Sequence, residues 1–120
     1  MIVTDKGFAP DDWNGSWTEL QPTDALPTDP GTLAHIRIRF GSFADGRGFT
    51  LARQLRARGF SGRLRAAGPL IADQYAMARR SGFDEVEITD EMAARQPEAQ
   101  WIARADWQAH DYQARLGGRA

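Results

Sequence analysis

The sequence predicts an α/β protein: a small single domain with a βαβαβ parallel core, helices mainly on one face, an irregular N-terminal lead-in and a C-terminal helix. Three observations carry this. His35-Ile36-Arg37-Ile38-Arg39-Phe40 alternates polar and apolar residues, as a strand with one buried face does. Phe49, Leu51, Ala52 and Leu55 recur at helical spacing, with Arg53, Arg56 and Arg58 outward and Gly59 as the stop. The same strand-then-helix order repeats from Arg63 onward, and 120 residues without an internal repeat fit one compact domain.

Taken in order, residues 1–34 form the lead-in. Ile2-Val3-Thr4 and Phe8-Ala9 flank Asp5-Lys6-Gly7, which suits a short hairpin. Pro10, Pro22, Pro27 and Pro30 then break up an acidic stretch, while Trp13, Trp17 and Leu20 supply anchors that pack it on the core. The core spans 35–95, with strands at 35–40, 63–67 and 84–88 and helices at 49–58 and 70–81, the second marked by Ile71, Tyr75 and Ala78 and ended by Gly82. Right-handed crossovers of this length make the three strands parallel neighbours. A helix from about Pro97 to Tyr112, in a segment 96–113, is expected to bury Trp101, Ile102, Ala105 and Ala109, and 114–120 reads as a flexible tail.

Because all three strands alternate, the helices are expected on one face and water on the other. There Arg37, Arg39, Arg63 and Arg65 would lie beside Glu85 and Glu87. Two readings stay open: a docking surface or homodimer face, or a solvated charge ladder contributing ~0.2–1 kcal/mol per pair.

Charge is segregated along the chain. Residues 1–34 carry a net −5, residues 35–80 a net +8 and residues 81–120 a net −4, for −1 in total. The basic middle could attract anions, but acidic ends folding back over it is the simpler expectation, and no nucleic-acid partner is expected. Fourteen of the fifteen basic residues are Arg, which is taken as composition and not as a recognition signal. Absence of cysteine excludes disulfides, thiolate metal sites and cysteine nucleophiles in this sequence. No apolar run approaches a membrane span, and Met1-Ile2-Val3-Thr4-Asp5 lacks the basic start and apolar core of a signal peptide, so a cytoplasmic location without membrane contact is expected.

In open α/β sheets, ligands bind at the C-terminal ends of the strands. The loop Phe43-Ala44-Asp45-Gly46-Arg47-Gly48 stands there, where two glycines free the backbone and a helix N-terminus follows. Gly41 and Gly46 superficially fit the opening of a phosphate loop, but Arg47-Gly48 stands where Lys-Ser/Thr is required. Asp45, Gly46, Arg47 and Gly48 are therefore candidates for binding a small oxyanion. Asp73 and Gln74, which open the second helix, are further ligand-binding candidates, Asp90 sits in the third loop, and Asp73 could serve as a general base if burial raised its pKa. Asp45 and Asp73 are the only catalytic candidates; equally, Asp45 bonds its own turn and Asp73 favours the helix's positive end. His35 and His110 lack metal-ligand spacing, so no metal and no cofactor is expected. Ser42, Ser61 and Ser81 lack a nucleophile-elbow context, and Trp101 and Trp107 read as packing anchors before a base-stacking platform.

Several stretches in order, Phe43 to Arg53 with Leu55-Arg56, Gly62 to Gly68, Asp73-Gln74 and Arg79-Arg80-Ser81-Gly82-Phe83-Asp84, resemble a bacterial domain-of-unknown-function family. That family is usually encoded beside assimilatory sulfite reductase and often called an oxidoreductase. The resemblance covers about residues 1–95 and offers no catalytic residues to carry over. It implies a part in sulfate assimilation in a bacterial cytoplasm. The chain lacks a dinucleotide fingerprint, so the leading expectation is a non-catalytic accessory that binds or assists sulfite reductase or another sulfur-assimilation protein. The alternative is a small oxyanion- or phosphate-binding enzyme or sensor using the Asp45–Gly48 loop.

Overall fold

The computed structural model describes residues 1–42 and 45–108. Phe43 and Ala44 of the glycine loop, Ala109, His110, the end of the expected C-terminal helix and the expected tail lie outside the described residues. In chain order the elements are β1 (Ile2–Thr4), β2 (Gly7–Ala9), β3 (Thr18–Leu20), a 3-10 turn (Pro30–Thr32), β4 (His35–Arg39), α1 (Arg47–Ala57), β5 (Arg63–Ala67), a 3-10 turn (Ala72–Gln74), α2 (Tyr75–Ser81), β6 (Glu85–Glu87), α3 (Asp90–Arg95) and α4 (Glu98–Ile102).

The central βαβαβ unit forms as the pattern predicts: β4 pairs parallel with β5, and β5 with β6, in the register Arg37↔Arg65↔Glu85. Both helices end by the same device. Gly59 and Gly82 take φ of 100° and 113°, which an L side chain resists. The next residue's N–H then reaches back five residues, Phe60 to the Leu55 carbonyl and Phe83 to the Ala78 carbonyl, each at 3.0 Å. Both phenylalanines turn into the core, at 2% and 0% exposure, so the stop signals also fix core packing. One apolar cluster holds Ile36 and Ile38 of β4, Leu64 and Ala66 of β5, Val86 of β6, Phe49, Leu51, Ala52 and Leu55 of α1, and Tyr75 and Ala78 of α2. Phe40 stands within it, with ring centroids 5.1 Å from Phe49 and 5.9 Å from Phe83.

Arg56, expected on the outward side of α1, bends inward. Its guanidinium donates to the carbonyls of Gly82 (2.7 and 2.9 Å), Gly62 (2.8 Å) and Phe60 (3.2 Å), tying both helix ends to the start of β5.

Two expectations need correction. The lead-in is less irregular than its composition suggests, because it supplies half the strands of a six-stranded sheet of order β2-β1-β6-β5-β4-β3. β1 runs antiparallel to β6 and pairs with β2 in the expected hairpin, while β3 extends the parallel part beyond β4. Strands of three residues are too short to show a period. The expected helix from Pro97 is also much shorter. Thr89 accepts the Met92 N–H at 3.1 Å and caps α3, Gln96 breaks the run, and α4 ends at Ile102. Trp101 is buried, but Ile102 is 45% exposed, so the apolar face expected of that helix reduces to one anchor. Among the described residues no helix is long and apolar enough to cross a membrane.

Candidate functional site

The chain leaves β4 at its C-terminal end and enters α1 through the glycine loop. Asp45 donates its N–H to the Ser42 carbonyl at 3.2 Å, and its carboxylate accepts from the Arg47 N–H at 3.4 Å and Nε at 3.2 Å. This is an Asx-type turn closed by an ion pair between neighbours. The Arg47 side chain is 69% exposed and that of Asp45 16%. Gly41, Ser42, Asp45, Gly46, Arg47 and Thr50 line an open hollow of about 620 Å³. Gly48 has no left-handed backbone; its role is close approach, since an added Cβ would overlap the Phe40 ring.

Asp73 lies elsewhere. It lines a second hollow of about 470 Å³ with Ala76, Arg80, Ala103, Arg104 and Asp106, so the two catalytic candidates do not share a cavity. Asp73 is 71% exposed and pairs with Arg104 at 2.7 Å. The burial that a general-base role would demand is absent. Gln74 acts locally: its Oε1 accepts the Ile71 N–H at 3.1 Å, holding the entry to α2. Asp90 opens the first turn of α3, where a negative charge suits the helix's positive end.

The densest chemistry sits on the sheet face away from the apolar cluster. Strand alternation points Arg63 and Arg65 of β5 the same way, between Arg37 of β4 and Glu85 and Glu87 of β6. Glu85 accepts from Arg63 at 2.8 and 3.0 Å and from Arg65 at 2.5 Å; Glu87 accepts from Arg65 at 3.0 Å and Arg37 at 3.2 Å. The segment between β2 and β3 then closes over them. Asp11 takes both terminal nitrogens of Arg65 at 2.9 and 3.1 Å, Asp12 takes Arg63 at 2.7 Å, and Glu19 pairs with Arg37 and with Arg39. Trp17 lies over the Arg65 guanidinium at 4.4 Å, and Trp13 stacks on His35 at 3.8 Å.

Arg65 is consequently 0% exposed and Glu85 5%. As folded, this face is not a solvated ladder at Arg65 and Glu85, where the chain's own acidic segment occupies it. The electrostatics follow. Hydrogen bonds from Arg65, then from the Trp13 backbone, hold the Asp11 carboxyl down at about 2. Arg63 lowers Asp12, and Arg39 outweighs burial to lower Glu19. Burial alone would lower Arg65, but Asp11, Glu85 and Glu87 together raise it. Asp11, Asp12, Trp17 and Glu19 had no local motif; the signal that could have found them is the opposite charge of the first and middle segments.

A second hub secures the β1–β2 turn. Asp5 accepts from Tyr75 Oη at 2.5 Å, Arg79 at 3.2 Å and the Trp107 indole at 3.2 Å. Burial works against the Asp5 charge, yet these bonds lower its pKa, while burial and then Asp5 push the Tyr75 hydroxyl up.

Residues 16–120 match a family described as bacterial proteins of unknown function, DUF934. The chain belongs to that family. Neither a curated protein nor a solved structure matches it. The DUF934 match takes in the whole βαβαβ unit, Trp17, Glu19 and the four arginines of the polar face, whereas Asp11 and Asp12 precede it.

Proposed function

We propose that this DUF934 protein is a non-catalytic accessory of bacterial sulfate assimilation, acting in the cytoplasm by binding sulfite reductase or another protein of that pathway. The pathway rests on the resemblance noted above. The binding role rests on one observation: α1 carries Arg47 and Arg53, and Arg58 follows at its C-terminal end, all exposed, with no acid in the helix. Arg53 and Arg58 have no ion-pair partner among the described residues. Exposed guanidiniums without counter-charge at Arg53 and Arg58 suit an acidic protein surface, which they would recognise by bidentate pairing. By contrast, both carboxylates offered for catalysis are spent on neighbouring arginines, Asp45 on Arg47 and Asp73 on Arg104.

A deletion strain grown on sulfate, sulfite or sulfide tests the pathway. Growth restored only by sulfide supports a role at sulfite reduction; normal growth on all three removes the assignment.

The open hollow at Asp45–Gly48 favours a second reading, an oxyanion-binding enzyme or sensor. Arg47 could offer its guanidinium there, although Asp45 competes for it and adds a repulsive charge. Under that reading sulfite raises the melting temperature of the wild type and not of Arg47→Ala.

A further inference from the structure

We propose that Arg63 and Arg65 form a receptor for a pair of adjacent carboxylates, filled in cis by Asp11 and Asp12 and open, once these lift away, to an acidic peptide segment of a partner protein. This inference stands independently of the sulfite reductase reading and of the α1 surface.

The receptor is preorganised by groups outside residues 10–16, the part of the β2–β3 connection that carries Asp11 and Asp12. Glu85 grips the Nε of both Arg63 and Arg65, at 2.8 and 2.5 Å, and Glu87 adds a bond to Arg65 at 3.0 Å. Trp17, at the entry to β3, fixes the plane of the Arg65 guanidinium. The two guanidiniums stand two residues apart on one strand, roughly 6–7 Å, on the same side. Their remaining donors are what Asp11 and Asp12 occupy: a bidentate fork on Arg65 and a single bond on Arg63. Without those two acids, Arg37, Arg39, Arg63 and Arg65 face only Glu19, Glu85 and Glu87, leaving an excess of positive charge on that face.

The covering segment is built to leave. Residues 10–16 have no regular structure, and among the described residues their backbone makes no hydrogen bond to the sheet. Their attachments are side-chain ones: the carboxylates of Asp11 and Asp12, 44% and 73% exposed, and the Trp13 stack on His35. An acidic segment supplied from outside reproduces the same bonds. It competes against an internal ligand whose effective concentration is on the order of millimolar, so neutralising the internal acids should unmask binding.

The probe is a fluorescent peptide with the chain's own sequence from Phe8 to Ser16, titrated by anisotropy into the full chain. The double variant Asp11→Asn, Asp12→Asn should bind it at least tenfold more tightly than the wild type does. Adding Arg65→Met to that variant should abolish binding, as should replacing both aspartates of the peptide by asparagine. Equal affinity for wild type and variant, or no binding to a folded variant, overturns the proposal. If the double variant does not fold, Asp12→Asn alone carries the comparison, with a smaller gain of about threefold expected and no gain overturning it. In isotope-labelled wild type, saturating unlabelled peptide should shift the Trp13 indole resonances away from their position stacked on His35; binding without that shift places the peptide elsewhere and equally overturns the proposal.

Discussion

Arg65→Met removes a cation that is fully enclosed and shared by three carboxylates, Asp11, Glu85 and Glu87, while keeping an apolar stem of similar length under Trp17. Removing one partner of a buried ion pair costs about 3–5 kcal/mol, because the remaining charge stays desolvated. Glu85 keeps Arg63 and Glu87 keeps Arg37, which places the expected cost at the low end, about 3 kcal/mol. In a domain of this size each kcal/mol moves the melting temperature by roughly 3–5 °C, so thermal unfolding followed by circular dichroism should fall by roughly 9–15 °C. Arg65→Lys should fall by less, since an ammonium keeps the charge but cannot fork Asp11 while holding Glu85 and Glu87. Removing both charges, with Arg65→Met and Glu85→Met together, should cost less than the sum of the single changes, because no uncompensated charge is left behind. A melting temperature of Arg65→Met within about 2 °C of wild type would refute the reasoning; it would mean that Arg65 is not buried in solution.

Gly48→Val should destabilise by ~1–3 kcal/mol through overlap with the Phe40 ring, while Arg47→Ala, one residue away and 69% exposed, should cost under ~0.5 kcal/mol; equal losses in thermal melts would contradict this. Acid should weaken the fold through the covering segment: Asp11 is depressed to about 2 by Arg65 and then the Trp13 backbone, so its contribution is complete above the unfolded value near ~4 and lost as pH falls through 2. Exposure of 44% limits that contribution to about 1 kcal/mol, and Asp11→Asn should flatten the fall in stability between those two pH values; an unchanged acid limb in denaturant titrations would show that Asp11 is not paired.

The βαβαβ unit was legible because its signals are local. Alternation from His35 to Arg39 sets a strand face, and Gly59 and Gly82 announce helix ends whose left-handed backbone few other residues accept. What escaped is what depends on distant partners. β1 finds β6 across more than eighty residues and with only Ile2 and Val3 to mark it, and β3 offers three residues with no period. The alternation of β5 suggests a wet face, yet Arg65 is buried; alternation reports two chemically different faces, and whether water or another segment covers the polar one is decided by Asp11, over fifty residues earlier. The overlong C-terminal helix came from spacing alone, since Trp101, Ile102 and Ala105 keep helical period after the helix has ended. Thr89 followed by Asp90 and Glu91 is a local start signal for α3, legible in the sequence as a cap with acids in the first turn. At the candidate site, the neighbours Asp45 and Arg47 came together as sequence proximity suggests, whereas Asp73 needed burial, which no local pattern specifies.

The most direct measurement of the central claim is the affinity of the purified full chain for purified sulfite reductase, read by biolayer interferometry at low and high salt, for wild type and for Arg53→Glu, Arg58→Glu. The account predicts a complex that weakens with salt, is lost in the double reversal, and leaves the melting temperature of that variant nearly unchanged, since both side chains are exposed and unpaired among the described residues. No complex at any salt, or one indifferent to the reversal, would contradict it.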